Sequence, residues 1–165
     1  MTDGFKPADD SAILNEKTGL SQEFFRKKDR TRSGYHFISD ERFEQLTISA
    51  RKQGALILRG GEEVEAHLDC EQAEASIMGD IIMFRRDVTV SEVLEEIYHF
   101  EQNRRKLNDD KDVQLRSCLN EIDAKEYLLR NRKRYRIPRK ETQETLMQLE
   151  WYRTKLKKLE AEKNV

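Results

Sequence analysis

The sequence predicts an α+β domain, with a small three-stranded sheet first and helices after it. Three observations point there. Short apolar runs bounded by glycine occupy much of residues 55–86, with the length and punctuation of strands. From residue 90 onward apolar residues recur three and four apart, the spacing of amphipathic helices. Between these halves stands Thr89-Val90-Ser91-Glu92, a T-x-x-E capping box that starts a helix just before Val90.

Residues 1–34 read as a polar and basic N-terminal tail or linker, and residues 35–165 as a single domain. Within the first part, SQEFFRKKDRTRSG (21–34) is a basic patch with two phenylalanines, either a short helix or the joint to an upstream domain. Ser39 or Asp40 caps a helix that runs to Gln53 and is ended by Gly54. Its Phe43, Leu46, Thr47 and Ala50 fall on one face. ALILRG (55–60) reads as a short buried strand. EEVEAHLD (62–69) alternates, with Val64, Ala66 and Leu68 on one side, and reads as a half-buried strand. CEQAEASIMGD (70–80) is a connection with a helical turn or a little strand, and DIIMFRR (80–86) is the third strand. The short turns make the sheet at least partly antiparallel, and the segment near 80–85 is expected at its edge, open to an extended peptide. Helices follow over 90–107, 113–135 and 141–162. NDDKD (108–112) separates the first two, and the residue before Pro138 breaks the second.

Composition narrows the functions. Charged residues make up 38% of the chain and apolar ones 36%, polar for a globular domain, so solvated parts surround a smaller core. The formal net charge of −1 gives no global attraction to nucleic acid or membrane. No apolar run approaches the roughly 18–20 residues of a membrane span. The acidic, polar start MTDGFKPADD lacks the apolar segment of a signal peptide. Two cysteines, Cys70 and Cys118, are too few for a disulfide framework, and a reduced, cytoplasmic setting is expected.

The chemistry concentrates in SEVLEEIYHFEQ (91–102). It holds E-E-x-x-H where zinc proteases carry H-E-x-x-H. At 100° per residue, His99 lies about 40° from Glu95 and Gln102 about 20° the other way. Val90, Val93, Ile97 and Phe100 gather on the other side, and Glu96 sits at the border. Glu95 and His99, one turn apart, can share a metal ion, with Glu96 placed to take a proton from water. The plain alternative is a solvated helix face with one histidine, so a third ligand is required. The next helix offers Glu126, inside a stripe of Leu115, Cys118, Leu119, Ile122 and Leu129, and Glu121 at the stripe's edge. A carboxylate on a buried face needs a metal or a cationic partner, and an arginine would also serve.

VSEVLEEIYHFEQNR (90–104) followed by LNEIDAKEYLL (119–129) resembles the zincin-like metallopeptidase domain found at the C-termini of bacterial polymorphic toxins and of some phage minor-head proteins. The resemblance spans residues 37–153, including FEQLTISARKQGALILRGGEEVEAHL (43–68). It implies a minimal zincin-like fold, with the small sheet packed on an active-site helix and further C-terminal helices. It implies a metal-dependent peptidase, a toxin effector or phage-associated domain, in which metal-activated water attacks a peptide bond and Glu96 is the general base. The family's ligands fall on Glu95, His99 and Glu121, with Glu126 as the alternative third ligand. Implied partners are a protein or peptide substrate and an immunity protein or phage structural protein, in the cytoplasm of the producing or target bacterium. The departure is Glu95, where the family carries histidine. A carboxylate makes zinc a weaker Lewis acid, and an oxygen-rich site also suits Mn2+ or Fe2+. The alternative function is therefore a catalytically degenerate binding or structural module on the same scaffold.

Other features read more simply. RNRKRYRIPRK (130–140) holds seven Lys or Arg and no acid, a phosphate grip or, favoured here, a solvated helix end. Nucleic acid is not an expected partner. His67 reads as a solvated strand histidine, and Cys118 as core. A di-iron carboxylate bundle needs a second Glu-x-x-His, which the chain lacks.

Overall fold

A computed structural model describes residues 32–164. Helix α1 (Asp40–Lys52) leads into strand β1 (Leu56–Arg59), helix α2 (Glu62–Glu71), strand β2 (Ala75–Met78) and strand β3 (Ile81–Phe84). Helices α3 (Val90–Arg104), α4 (Val113–Arg130) and α5 (Arg139–Lys163) complete the chain. The α+β class holds, with five helices and one mixed three-stranded sheet among the described residues. The N-terminal tail assigned to residues 1–34 lies almost wholly outside the described residues.

The two caps read from the sequence form, and a third joins them. Ser39 accepts from the Arg42 amide at the start of α1. Thr89 and Glu92 complete both halves of the box at the start of α3. Asp112 caps α4 by accepting from the Leu115 amide. Arg104 and Arg130 end α3 and α4 three and five residues earlier than the apolar pattern suggests.

One strand assignment changes, and one open alternative is decided. Residues 62–69 are helix α2, not a strand. Gly60 and Gly61, both with positive φ, turn the chain sharply, and Glu62, Glu63 and Glu65 then suit a helix N-terminus. Val64 and Leu68 are also one turn apart, and Leu68 is buried while Ala66 is exposed, which alternation would not produce. The third strand is Ala75–Met78, the little strand among the two readings of the 70–80 connection. It turns at Gly79, which has positive φ, into β3.

The sheet order is β1-β3-β2, with β1 parallel and β2 antiparallel to β3. Residues 81–84 therefore form the central strand, hydrogen-bonded on both sides, and offer no edge to a peptide. The edges belong to β1 and β2.

Helix α3 packs against β2, β3, α1 and α4. Its Val93 and Phe100 join a core with Phe43, Ala50, Ala55, Ile82, Phe84 and Val88. In that core the Phe43 and Phe84 rings meet edge to face at 5.3 Å. Val90 and Leu94, on another side of α3, form a second core with Leu128 of α4. Two apolar faces thus fix the rotation of α3 about its axis and decide where its polar side points. Helices α4 and α5 pair closely as a helical hairpin.

Candidate metal centre

The remaining side of α3 carries Glu95, His99 and Gln102 toward α4. Glu121 meets them from α4. Glu95, His99 and Glu121 each offer a ligand atom, and the three atoms lie within 4.8 Å of one another. His99 Nε2 stands 3.9 Å from Glu95 Oε1 and 3.5 Å from Glu121 Oε1. Ligands about 2.0–2.2 Å from a tetrahedral zinc ion stand roughly 3.4 Å apart. A small contraction would bring these atoms to that spacing.

The histidine is oriented from behind. Its Nδ1 lies 2.8 Å from Gln102 Oε1. Gln102 Nε2 donates to the Asn120 carbonyl at 2.9 Å and to Asp123 Oδ2 at 3.1 Å, so the amide's orientation is settled by its own donors. Gln102 Oε1 must then accept, Nδ1 carries the proton, and Nε2 is left to the two carboxylates. This is the outer hydrogen bond that fixes a metal-ligating imidazole. Tyr98 braces the same Asp123 oxygen at 2.9 Å.

The helical position of Glu121 explains why it takes part. The buried stripe of α4 runs through Cys118, Ala124, Lys125 and Leu128, and Glu121 lies on it, one turn after Cys118 and one turn before Lys125. Glu126 lies off it. Its carboxylate faces solvent and pairs with Arg153 at 3.2 Å and Arg130 at 3.8 Å. Of the stripe read from Leu115, Cys118, Leu119, Ile122 and Leu129, Cys118 is fully buried and the others only partly so, because the observed stripe turns toward Ala124, Lys125 and Leu128. Glu126 is thus the glutamate that meets an arginine, and it stands apart from the Glu95–His99 pair.

Lys125 is the residue that the sequence reading overlooked. Its side chain is only 4% exposed, and Nζ forms an ion pair with Glu95 and stands 3.5 Å from Glu121 Oε2. Burial works against its charge, but the two carboxylates outweigh that and raise its pKa. The signal was present: Glu121 and Lys125 are four apart, on the face that Cys118 and Leu128 bury. Tyr152 of α5 lies near the same charges. Burial first, then Glu121 and Glu95, push its phenol's pKa up.

Glu96 sits beside the cluster at the edge of the core. Burial pushes its pKa up to about 7, opposed by the charge of His99 and reinforced by Glu95 and Glu121. Burial pulls the His99 pKa down, but Glu121, Glu95 and Glu96 together carry it above the ordinary histidine value. A carboxyl poised near neutrality can both take and return a proton.

Elsewhere the histidine of residues 62–69 sits on α2, where His67 Nε2 is 3.2 Å from Glu71. Cys118 is buried and Cys70 exposed, both as free thiols. In the basic run 130–140, Arg132 caps α4 by donating to the Leu129 carbonyl at 2.8 Å. A groove of about 510 Å³ lies on the neighbouring side of α3, lined by Leu94, Ile97, Tyr98, Tyr127 and Tyr135 among others, and excludes the Glu95–His99–Glu121 cluster. No described helix is long and apolar enough to cross a membrane. No family model, curated protein or solved structure matches the chain.

Proposed function

We propose that the protein is a metal-dependent peptidase of zincin-like type, acting on a protein or peptide as a toxin effector or phage-associated domain. The observation that supports it is His99, whose Nε2 faces Glu95 and Glu121 while Nδ1 is held by Gln102. Glu95, His99 and Glu121 would hold a divalent ion, Zn2+ or, with two carboxylates, Mn2+ or Fe2+. Such an ion supplies Lewis acidity, polarising a carbonyl and easing deprotonation of water. Glu96 takes the proton from the attacking water and returns it to the leaving amine, a task for which a pKa of about 7 suits it. Gln102 and Asp123 keep the imidazole in the tautomer this requires.

One observation favours a second reading. Lys125 already balances Glu95 and Glu121, as an ion pair needing no metal would. On that reading the domain is a catalytically degenerate module that binds a partner, with the cluster a structural pin.

Elemental analysis of protein purified without chelator tests both. The peptidase reading expects about one equivalent of zinc, manganese or iron in the wild type and little in His99→Ala. It also expects cleavage of a peptide library that Glu96→Gln abolishes while metal content stays unchanged. Absence of metal from the wild type, even after added zinc, manganese or iron, sinks the metal centre. Bound metal without Glu96-dependent cleavage leaves the module.

A further inference from the structure

We infer that Lys125 is an exchangeable counter-ion: its ammonium holds Glu95 and Glu121 together in the metal-free protein and withdraws when a divalent ion takes its place. This rests on the metal reading of the cluster and adds how the site is kept assembled and how loading is gated.

The geometry carries the argument. Two carboxylates whose ligand atoms lie within 4.8 Å of one another repel unless a cation stands between them. Lys125 supplies that cation, since the same Nζ reaches Glu95 on α3 and Glu121 on α4. It therefore joins the two helices across the site. The oxygens it holds are those of the carboxylates that a metal would use. Glu95 engages both Lys125 and His99 Nε2 through a single atom, Oε1.

An ammonium and a dication cannot share this position. Both would sit a few ångströms from the same carboxylates in a partly buried site, where like charges repel far more than in water. Lysine suits a departing role. Its charge is a compact point on a flexible four-carbon stem, whereas a guanidinium would hold a carboxylate through two fixed bonds. One bound cation leaves the carboxylates as another arrives: the site exchanges a single positive charge for two against the two carboxylates, and no covalent bond is made or broken in the chain.

Two roles are thereby separated. His99 and Gln102 give the site its geometry, and Lys125 sets the threshold of ion concentration at which it loads. Removing the ammonium leaves Glu95 and Glu121 with His99 alone between them, so they attract a dication more strongly but hold α3 and α4 together less well.

The full chain is titrated with Zn2+ and with Mn2+ by calorimetry, as wild type and as Lys125→Met. The variant is expected to bind at least about tenfold more tightly, to melt at a lower temperature than wild type without metal, and to regain that loss when loaded. A second measurement uses wild type alone, so it does not depend on the variant's folding. Surface lysines are acylated briefly with and without Zn2+, and each site is read by mass spectrometry. Lys125 is expected to be protected in the metal-free protein and to react severalfold faster once zinc is bound. Stoichiometric zinc binding with no change in Lys125 labelling overturns the exchange and leaves the metal centre standing. Equal or weaker binding by a folded Lys125→Met overturns it too. If wild type binds neither ion, the metal centre fails and the exchange falls with it.

Discussion

Gln102 Oε1 accepts a hydrogen bond from His99 Nδ1 at 2.8 Å, and the same amide donates to the Asn120 carbonyl at 2.9 Å. One side chain thus links the imidazole of α3 to the backbone of α4, next to Glu121. Gln102 is 3% exposed, so water does not replace it readily. Gln102→Leu leaves His99 Nδ1 without that acceptor and frees the ring to turn. Metal affinity is expected to fall about 10–100-fold, as it does when outer partners of metal ligands are removed. Zinc titration of the folded variant measures it, with circular dichroism as the check on folding. Unchanged affinity would show that Gln102 does not orient the ring.

Glu141 links the start of α5 to the start of α3. Its Oε1 accepts from the Ser91 amide at 3.2 Å and from the Ser91 hydroxyl at 2.7 Å, while its other oxygen is buried without a hydrogen bond. Burial raises its pKa despite those donors. The folded protein then holds this proton at pH values where the unfolded chain has released it. Stability therefore declines as pH rises from the ordinary value of 4.5 through the raised folded value, and levels off above it. Glu141→Gln should remove that part of the slope. Denaturant midpoints for both proteins across pH 4–8 decide it, and parallel curves would show that Glu141 titrates alike in both states.

Arg85 gathers Glu65 and Asp69 of α2 at 2.9 Å each, and Glu74 before β2 at 3.2 Å. It is 12% exposed, and its partners are more open to solvent. Arg85→Met keeps much of the stem but leaves three carboxylates facing one another. We expect a loss of about 1–3 kcal/mol, below the range for fully buried pairs because solvent screens Glu65 and Asp69. High salt should narrow the difference. A variant as stable as wild type in urea would rule this role out.

Gly60 turns the chain out of β1 with φ +65, and a Cβ there would lie 3.1 Å from Arg86 Cβ. Its amide donates to the Phe84 carbonyl at 2.9 Å. Gly60→Ala meets both a left-handed backbone and a close contact, and should destabilise by roughly 1–2 kcal/mol. Thermal unfolding of the variant reads the effect. No change would mean that the turn relaxes without disturbing β3.

Legibility followed the range of the interactions. Caps were readable because both partners lie within three residues of each other, as in Thr89 with Glu92 and Ser39 with Arg42. The polar side of α3 was readable because its two apolar faces are dense enough to fix the helix. Residues 62–69 misled because Val64, Ala66 and Leu68 satisfy a two-residue period, and Val64 and Leu68 also satisfy a helical one. The two glycines and the acidic first turn settle it for helix. Ala75–Met78 acquires its strand character from Phe84, Met83, Ile82 and Ile81 opposite, partners found only once the chain turns at Gly79. On α4 the leucines outnumber the small residues, so they draw the eye to the wrong stripe. Cys118 lies against α5, its thiol donating to the Tyr152 carbonyl at 3.2 Å. The buried pairing of Lys125 with Glu95 spans two helices, and no local pattern announces it.

Helices α3 and α4 supply all three proposed ligands, the counter-ion and the brace, between Glu95 and Lys125. Such a site has low contact order. Closing a short connection costs little chain entropy, and neighbouring helices can form and pair early in folding. The sheet and α1 add long-range contacts and are expected to consolidate later. The proposed metal site would therefore be carried by α3 and α4 as a cassette, with the sheet and α1 as the clamp that keeps these two helices in phase.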